Sequence, residues 1–497
     1  MNGVRDVPSG SPVFIGLDLG TSGLKGIAID SSGEILASAR SDYPTHRPVA
    51  AASEQDPHDW TNAIANVVGE LTASVPAAQW SGIGLSAMIP TMVVTDSVGR
   101  PMHSAVTWED ARAEDHGQRL RSFVGEQSIY EQTGQWVDGR YLLPMYARIA
   151  DEVSEVPSHL LGAKDWILHW LTSEFATDPA TATGTGAYHL ADNAYSETII
   201  GAAAELAGHA LPDLAQVVTS TTLCHLTDDR ARELGLPAGL PIAVGAADAV
   251  AAILGLGVGA AGDVIYLAGT STVIVGIDHE PHFDSQHRFL VTPLATHGYG
   301  HEMDLLATGS AMAWLANLLG LDSPDELAAL ARTVPAGQDS LPTMLGYVAP
   351  GEQGALWDPS LTGIIEGMNL HTSAADVARA LLTSITVESA RCIAVWDDNT
   401  TARGAIHVAG RGINDAALQE LADATGRRTH LCGHAETPHS ALGAALIVAR
   451  ALGLEPVSSH HVADLEMTPR PENAALWQQL HHRHEGVRTR TSASTGQ

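Results

Sequence analysis

The run Phe14-Ile15-Gly16-Leu17-Asp18-Leu19-Gly20-Thr21-Ser22-Gly23-Leu24-Lys25 decides the fold, because the chain repeats it. The second copy reads Val264-Ile265-Tyr266-Leu267-Ala268-Gly269-Thr270-Ser271-Thr272-Val273. Each copy is an apolar run, then Gly-Thr-Ser, then a second apolar run that ends in Ile-Asp, at Ile29-Asp30 and Ile277-Asp278. Apolar runs broken by a small-residue turn read as adjacent strands. The copies differ in one chemical respect. Asp18 stands two residues before the first Gly-Thr-Ser, and Leu267 stands there in the second. Small residues offer backbone N–H groups to an anion. Two such turns, one of them beside a carboxylate, point to two phosphate clamps facing one cleft, with a metal on one wall. A hairpin turn with a capping Asp carries the same letters; the repetition without the Asp favours the functional reading.

Outward from the first copy, 13–17, 24–29 and 34–41 read as a meander, broken at Gly20-Thr21-Ser22-Gly23 and Ser31-Ser32-Gly33. Asp56-Pro57 opens a helix, with Asp as cap and Pro at the first helical position. It leads to a strand at 82–86, and Val93-Val94 is expected to continue that sheet after Ile89-Pro90-Thr91. A strand at 241–245 precedes a helix at 248–256. Gly257, Gly259 and Gly262 then mark a hinge, and the second meander begins at Asp263. A long helix from 373 to about 396, a strand at 405–409 and helices at 414–425 and 438–452 follow. Each half opens with a meander and finishes in helices, which reads as an ancient duplication of an α/β unit.

A chain of 497 residues exceeds one compact core and implies two large domains. Acidic residues number 57 against 26 basic ones, a formal charge of -31. Such a balance excludes nucleic acid and anionic membrane as partners, while backbone N–H groups can still bind phosphate locally. Lys25 and Lys164 are the two lysines, so a lysine beside the first Gly-Thr-Ser turn stands out. Cys224, Cys392 and Cys432 are three and widely spaced, with neither metal spacing nor a disulfide framework. The start of the chain is polar without a signal-peptide core, and no apolar run is long enough to span a bilayer. The cytoplasm is the expected setting. The last residues are expected to fray.

Three further stretches carry chemistry. In Val244-Gly245-Ala246-Ala247-Asp248-Ala249, an Asp opens a helix just after a buried strand. It projects into the crevice at the strand's carboxyl end, where it can take a proton from a hydroxyl; a plain N-terminal helix charge fits as well. In Ala409-Gly410-Arg411-Gly412-Ile413-Asn414, glycines between strand and helix let a flat ligand approach the backbone. Asn414 there either meets a purine edge or caps the helix that carries Leu418-Gln419. The small residues of Ser440-Ala441-Leu442-Gly443-Ala444-Ala445 either floor a nucleotide pocket or allow close helix packing.

The order of these motifs resembles the FGGY family of carbohydrate kinases, within the actin-like ATPase superfamily, from about Pro12 to about Arg488. Supporting segments are Ser53-Glu54-Gln55-Asp56-Pro57, Thr107-Trp108-Glu109-Asp110-Ala111-Arg112, Ala163-Lys164-Asp165-Trp166, Gly184-Thr185, Gly351-Glu352 and Trp357-Asp358-Pro359. The resemblance implies an α/β fold of two actin-like (ribonuclease H-like) domains with a nucleotide and substrate cleft between them. The N-terminal domain would be 12–256, the C-terminal domain 257–488 and the tail 489–497. It implies ATP and Mg2+ as cofactors and a small sugar or polyol as partner, and it allows a homodimer. By the same resemblance Asp18 would hold magnesium through water, and Asp248 would be the catalytic base. Thr21, Ser22, Lys25, Gly269 and Thr270 would contact phosphates, and Gly410, Asn414 and Gly443 would line the adenine pocket.

The acceptor side departs from the family. Glycerol kinases carry Arg-Glu, and xylulokinases Met-His, where this chain has Ile89-Pro90. The residue after the catalytic Asp, usually Asn, Gln or Gly, is Ala249. A site without these groups leaves sugar hydroxyls unpartnered and should bind glycerol poorly. Ile89, Pro90, Trp108, Glu109, Asp110 and Asp248 remain as substrate candidates. The expected activity is ATP-dependent phosphorylation of a ketose, polyol or sugar acid. The rivals are a xylulokinase proper, a nucleotide-binding sensor that has lost its substrate site, and a chaperone-type ATPase.

Overall fold

The computed structural model describes residues 11–153, 155–349, 354–356, 358, 361–410, 412–432, 437–456 and 463–495. Arg411 and the motif residues Gly351, Glu352, Trp357 and Pro359 lie outside them. Contacts divide the chain into unit 1, Met1–Gly257 with Val291–Gly298 and Pro438–Ser459, and unit 2, Val258–Leu290 with Tyr299–Thr437 and His460–Gln497. By contacts the chain returns to unit 1 late, at Val291–Gly298 and Pro438–Ser459.

In unit 1 the first sheet runs, neighbour by neighbour, Leu223–His225, Pro241–Ala247, Trp80–Ala87, Val13–Leu19, Gly23–Ile29 and Ile35–Asp42. The last three are the antiparallel meander read from the sequence. Val13–Leu19, Trp80–Ala87 and Pro241–Ala247 run parallel, so their carboxyl ends meet at one edge. All of Val13–Leu19 is buried, as a central strand covered on both faces requires. Helix Pro57–Ser74 covers one face. Asp56 caps it, accepting from the His58 N–H at 2.9 Å, with Pro57 in the first turn. Trp60, Ile64, Val67, Val68 and Leu71 recur at helical spacing on its buried stripe. Each such side chain contributes about 1.5–3 kcal/mol on full burial.

Helix His439–Ala451 covers the other face, which explains the late return of the chain. A Cβ on Gly16 would lie 1.8 Å from the Ala441 carbonyl oxygen, and one on Gly84 1.8 Å from that of Ala444. The helix backbone therefore rests directly on the two strands. On its flank Gly443 meets helix Asp248–Leu256, where a Cβ would lie 1.7 Å from the Ala251 carbonyl oxygen. The run 440–445 is thus a packing surface, and Gly443 faces a neighbouring helix where the sequence reading had an adenine ring. Gly443→Ala should force these helices apart and cost about 1–3 kcal/mol. A thermal melt reads this as a lower Tm; an unchanged Tm would contradict the packing role.

A second sheet in unit 1 runs Asp213–Leu214, His159–Gly162, Thr91–Thr95, Ala105–Thr107 and Glu54–Gln55. Thr91–Thr95 belongs here and does not continue the sheet of Trp80–Ala87 as expected. The chain changes sheet at Met88-Ile89-Pro90, where the Ile89–Pro90 peptide is cis.

Unit 2 repeats the plan of the first sheet of unit 1. Val264–Ala268 pairs antiparallel with Thr272–Asp278, which pairs antiparallel with Tyr299–Leu305. On its other side Val264–Ala268 runs parallel to Ile406–Gly410, and that strand parallel to Thr429–Cys432. The duplication read from two Gly-Thr-Ser loops is therefore a duplication of sheet topology. Helix Ala374–Asn399 starts at a capping box of Ser373 and Asp376. The last helix, Ala474–Thr495, runs through most of the closing stretch 491–497 expected to fray. Among the described residues no helix is long and apolar enough to cross a membrane.

Candidate active site

The carboxyl edge of the unit 1 sheet, where open α/β sheets bind their ligands, gathers the candidates Asp18, Lys25 and Asp248. Asp18, the penultimate residue of the first strand, lies opposite Lys25 on one neighbour and Ser86 on the other. Its Oδ1 accepts from the Ser86 hydroxyl at 2.8 Å, and its Oδ2 lies 3.9 Å from Lys25 Nζ. The residue is only 3% exposed. Burial raises its carboxyl above the usual range, against the Lys25 charge and the Ser86 hydroxyl, which lower it. Among the described residues no three His, Cys, Asp or Glu side chains converge to cage a metal. A single buried carboxylate beside a phosphate-type loop fits Mg2+, which keeps waters and takes substrate phosphates as ligands.

The Gly20–Gly23 loop is built to aim its amides outward. Tyr43 donates its hydroxyl to the Gly20 carbonyl, and Gln55 Nε2 donates to the Thr21 carbonyl at 2.8 Å. Trp60 Nε1 donates to Gln55 Oε1 at 3.0 Å and so fixes which way that amide points. In a trans peptide the C=O and the following N–H point oppositely. Tying back both carbonyls therefore turns the N–H groups of Thr21 and Ser22 to the far side. The second loop reaches the same result with different anchors. Gly309 N donates to the Gly269 carbonyl at 3.2 Å, and Ser310 N to the Thr270 carbonyl at 3.0 Å. These donors open helix Gly309–Leu318, and they turn the N–H groups of Thr270 and Ser271 away. Gly269 and Thr270 are exposed, as is Ser22, whose hydroxyl also accepts from Arg40 at 3.2 Å.

Asp248 is the first residue of helix Asp248–Leu256 and is half-buried at the same edge as Asp18. Its Oδ1 accepts from the Ala249 N–H at 2.8 Å. Burial, and then the charge of Asp18, push its carboxyl up to about 7, with the Ala249 amide and Lys25 opposing. Two carboxylates in one environment, one of them poised near neutrality, are the pattern of an acid–base site.

The acceptor candidates separate. Ile89 is half-buried and packs against Gly184, where a Cβ would lie 2.8 Å from Ile89 Cγ1, so it and Pro90 present no hydrogen-bonding side chain. Trp108 donates its indole N–H to the Thr21 hydroxyl at 3.2 Å, joining its own loop to the Gly20–Gly23 loop. Glu109 is partly exposed and pairs with Arg47 at 2.8 Å. Asp110 is a correction: it is 1% exposed, and its oxygens are taken by the Ser53 N–H at 2.9 Å and by Arg112 at 2.6 Å. It holds its loop together and has no oxygen facing a ligand. Tyr43 and Ser86 were missed by sequence reasoning, since their roles come from pairing between distant segments.

In unit 2, Gly410 ends its strand with φ +127°, a conformation that favours glycine, 1.9 Å by ideal Cβ from the Ala268 carbonyl oxygen. Asn414 caps helix Asp415–Thr425, its Oδ1 accepting from Ala416 N and Ala417 N at 3.1 and 3.2 Å. That use of the oxygen leaves the amide NH2, a donor, outside the cap. Gly412 and Asn414 rim an apolar pocket lined by Tyr266, Met312, Leu382 and Ile413, a surface suited to a flat aromatic ring. Gln419 is engaged elsewhere, with Asp423 and the Thr468 carbonyl, both at 2.9 Å.

Comparison with known proteins gives the family. The N-terminal domain of the FGGY family of carbohydrate kinases matches residues 13–255, and its C-terminal domain matches 264–452. A glycerol kinase of Alkalilimnicola ehrlichii is 29% identical over 464 residues, covering 89% of this chain and 90% of its own. A gluconokinase of Bacillus subtilis is 25% identical over 387 residues, covering 75% of this chain and 74% of its own. The crystal structure of xylulose kinase from Rhodospirillum rubrum is similar at TM-score 0.89 and 25% identity, covering 98% of this chain and 100% of that one. With both domain models matched in order over most of its length, the chain belongs to the FGGY family of carbohydrate kinases and is a phosphotransferase with an alcohol group as acceptor.

Proposed function

We propose that the protein transfers the γ-phosphoryl group of ATP to a hydroxyl of a small ketose, polyol or sugar acid, with Asp248 as general base. The observation that carries this reading is the pair of carboxylates at one sheet edge, Asp248 pushed up to about 7 and Asp18 beside the Gly20–Gly23 loop. Phosphoryl transfer asks for in-line positioning and charge neutralisation more than covalent chemistry. Asp248 takes the proton of the attacking hydroxyl. The oxygen forms its bond to the γ-phosphorus as the bond to the ADP oxygen breaks. Thr21, Ser22 and Lys25 offer amides, hydroxyls and one ammonium to phosphate oxygens, and the Gly269 and Thr270 loop is proposed for the same kind of contact. Gly410 and Asn414 take the adenine. A magnesium ion held through water by Asp18 would supply further neutralisation of phosphate charge. The setting is a cytoplasm with ATP.

The acceptor is read by Trp108, Glu109 and the apolar pair Ile89-Pro90. That pair disfavours glycerol, whose hydroxyls would lose partners. The likeness to xylulose kinase favours xylulokinase proper as the second reading, with D-xylulose as acceptor. A sensor reading finds no support among the relatives, and the chain keeps both Asp18 and Asp248.

A base must be ionised to act. Activity should therefore fall as pH drops through about 7, the value for Asp248, and hold above it. ADP release across about pH 5–9 checks this; a flat acidic limb would contradict the assignment. The reading as a whole is tested by ADP release with pentuloses, hexuloses, alditols and aldonates in turn. At least one should raise ADP release well above the rate with ATP alone, and the absence of any such acceptor would sink it.

A further inference from the structure

The strand that carries Asp248 is irregular. Ile242 and Ala243 pair with Ile83 and Gly84, whereas Ala246 and Ala247 pair with Ser86 and Ala87. One extra residue therefore sits in the strand as a bulge at Val244-Gly245. Gly245 has φ +84°, and a Cβ on it would lie 1.8 Å from the Leu85 carbonyl oxygen, so only glycine fits. Bulges re-aim a strand and recur next to active sites. The N–H groups of the bulge turn to the preceding segment, Val244 N to the Thr222 carbonyl at 3.0 Å and Gly245 N to that of Ser220 at 2.9 Å. The Val244 carbonyl receives Lys164 Nζ at 3.0 Å.

Lys164 is one of two lysines in the chain and is 1% exposed. It sits in the first turn of helix Ala163–Thr172, the end at which the helix dipole disfavours a cation. Two buried carboxylates offset this, Asp165 Oδ1 at 2.8 Å and Asp178 Oδ1 at 3.2 Å. Asp178 is itself fixed by the N–H groups of Ala180 and Thr181, at 3.0 and 3.3 Å. Burying three charges is a poor way to gain stability, since well-packed apolar groups of the same size do as well or better. The cluster calls for a purpose beyond holding the core.

On the reading that Asp248 is the base, we infer that Lys164 is a positioning residue for the reaction: its ammonium, locked by Asp165 and Asp178, holds the Val244 carbonyl and so fixes the bulge that aims the Asp248 carboxylate. The cluster touches neither substrate nor nucleotide in this scheme. It acts through the backbone that runs from Val244 to Asp248.

The test is the double substitution K164M/D165N. It removes the donor to Val244 and leaves the cluster with one net negative charge, as before. The expected result is a cooperative melt, a KM for ATP unchanged, and a kcat lowered roughly 10–100-fold, the scale of a misplaced reacting group. In a D248N background the same double substitution should cause no further loss of acceptor-dependent turnover, because the group it positions is gone. Full kcat in K164M/D165N overturns the inference. So does an added loss in the D248N background, or failure of the double variant to fold, since either assigns the cluster to the fold in general. Failure of the base assignment shows separately, as wild-type turnover in D248N alone.

Discussion

Asp248→Ala is expected to abolish acceptor-dependent ADP release while nucleotide binding persists. A positioned general base contributes roughly 10²–10⁴-fold, and no other described carboxylate with a raised pKa opens a helix at this sheet edge. Nucleotide binding should survive because the residues proposed for adenine and phosphate lie on other segments, 20–25, 269–270 and 410–414. Wild-type turnover in the Ala variant would remove Asp248 from the mechanism. A second readout comes from Asp248→Asn, which keeps the shape and loses the charge. The folded carboxyl is held up at about 7 by burial and by Asp18, above the unfolded value of 3.8. The stability it contributes is therefore full below the unfolded value and lost as pH rises to the folded one. Above pH 7 the Asn variant should melt at a higher temperature than wild type, while keeping only a residual turnover. A lower Tm at that pH would show that the ionised carboxylate is not strained by its surroundings. Function is then maintained here at some cost in stability.

Asp18→Ala is expected to lower turnover roughly 10²–10³-fold, the scale of losing one fixed electrostatic group from a phosphoryl-transfer site, and to blunt the response to magnesium. The same variant carries an internal check. The Asp18 charge is the second cause of the high Asp248 pKa, after burial. Removing it should move the acidic limb of residual activity to lower pH. An unchanged magnesium titration would count against Asp18 as the metal side. An unshifted acidic limb would show that the two carboxylates do not sense each other.

Local chemistry made much of this legible in the sequence. The Asp56-Pro57, Ser373 and Asn414 starts are set by side chains within one turn of the boundary, so the residues alone locate them. The doubled Gly-Thr-Ser loop gave the repeated topology because hairpin chemistry is local too. Other features depend on what meets what. The small residues 440–445 announce a close approach, but only the structure shows that Gly443 meets Ala251 and that the helix packs within unit 1. Thr91–Thr95 looks like a continuation of the preceding strand, and a change of sheet leaves no mark on an apolar pattern. Asp110 carries the letters of a substrate contact, and its burial beneath Arg112 decides otherwise. Tyr43, Ser86 and Lys164 act on partners 23, 68 and 80 residues away, beyond any local pattern.

The most direct test of the account is the stoichiometry of transfer with the best acceptor from the screen. Sugar phosphate, identified by mass, and ADP should form one for one in the wild-type protein, and neither should form above background in Asp248→Ala. ADP formed at the same rate with and without every acceptor, with no phosphorylated sugar, would contradict it.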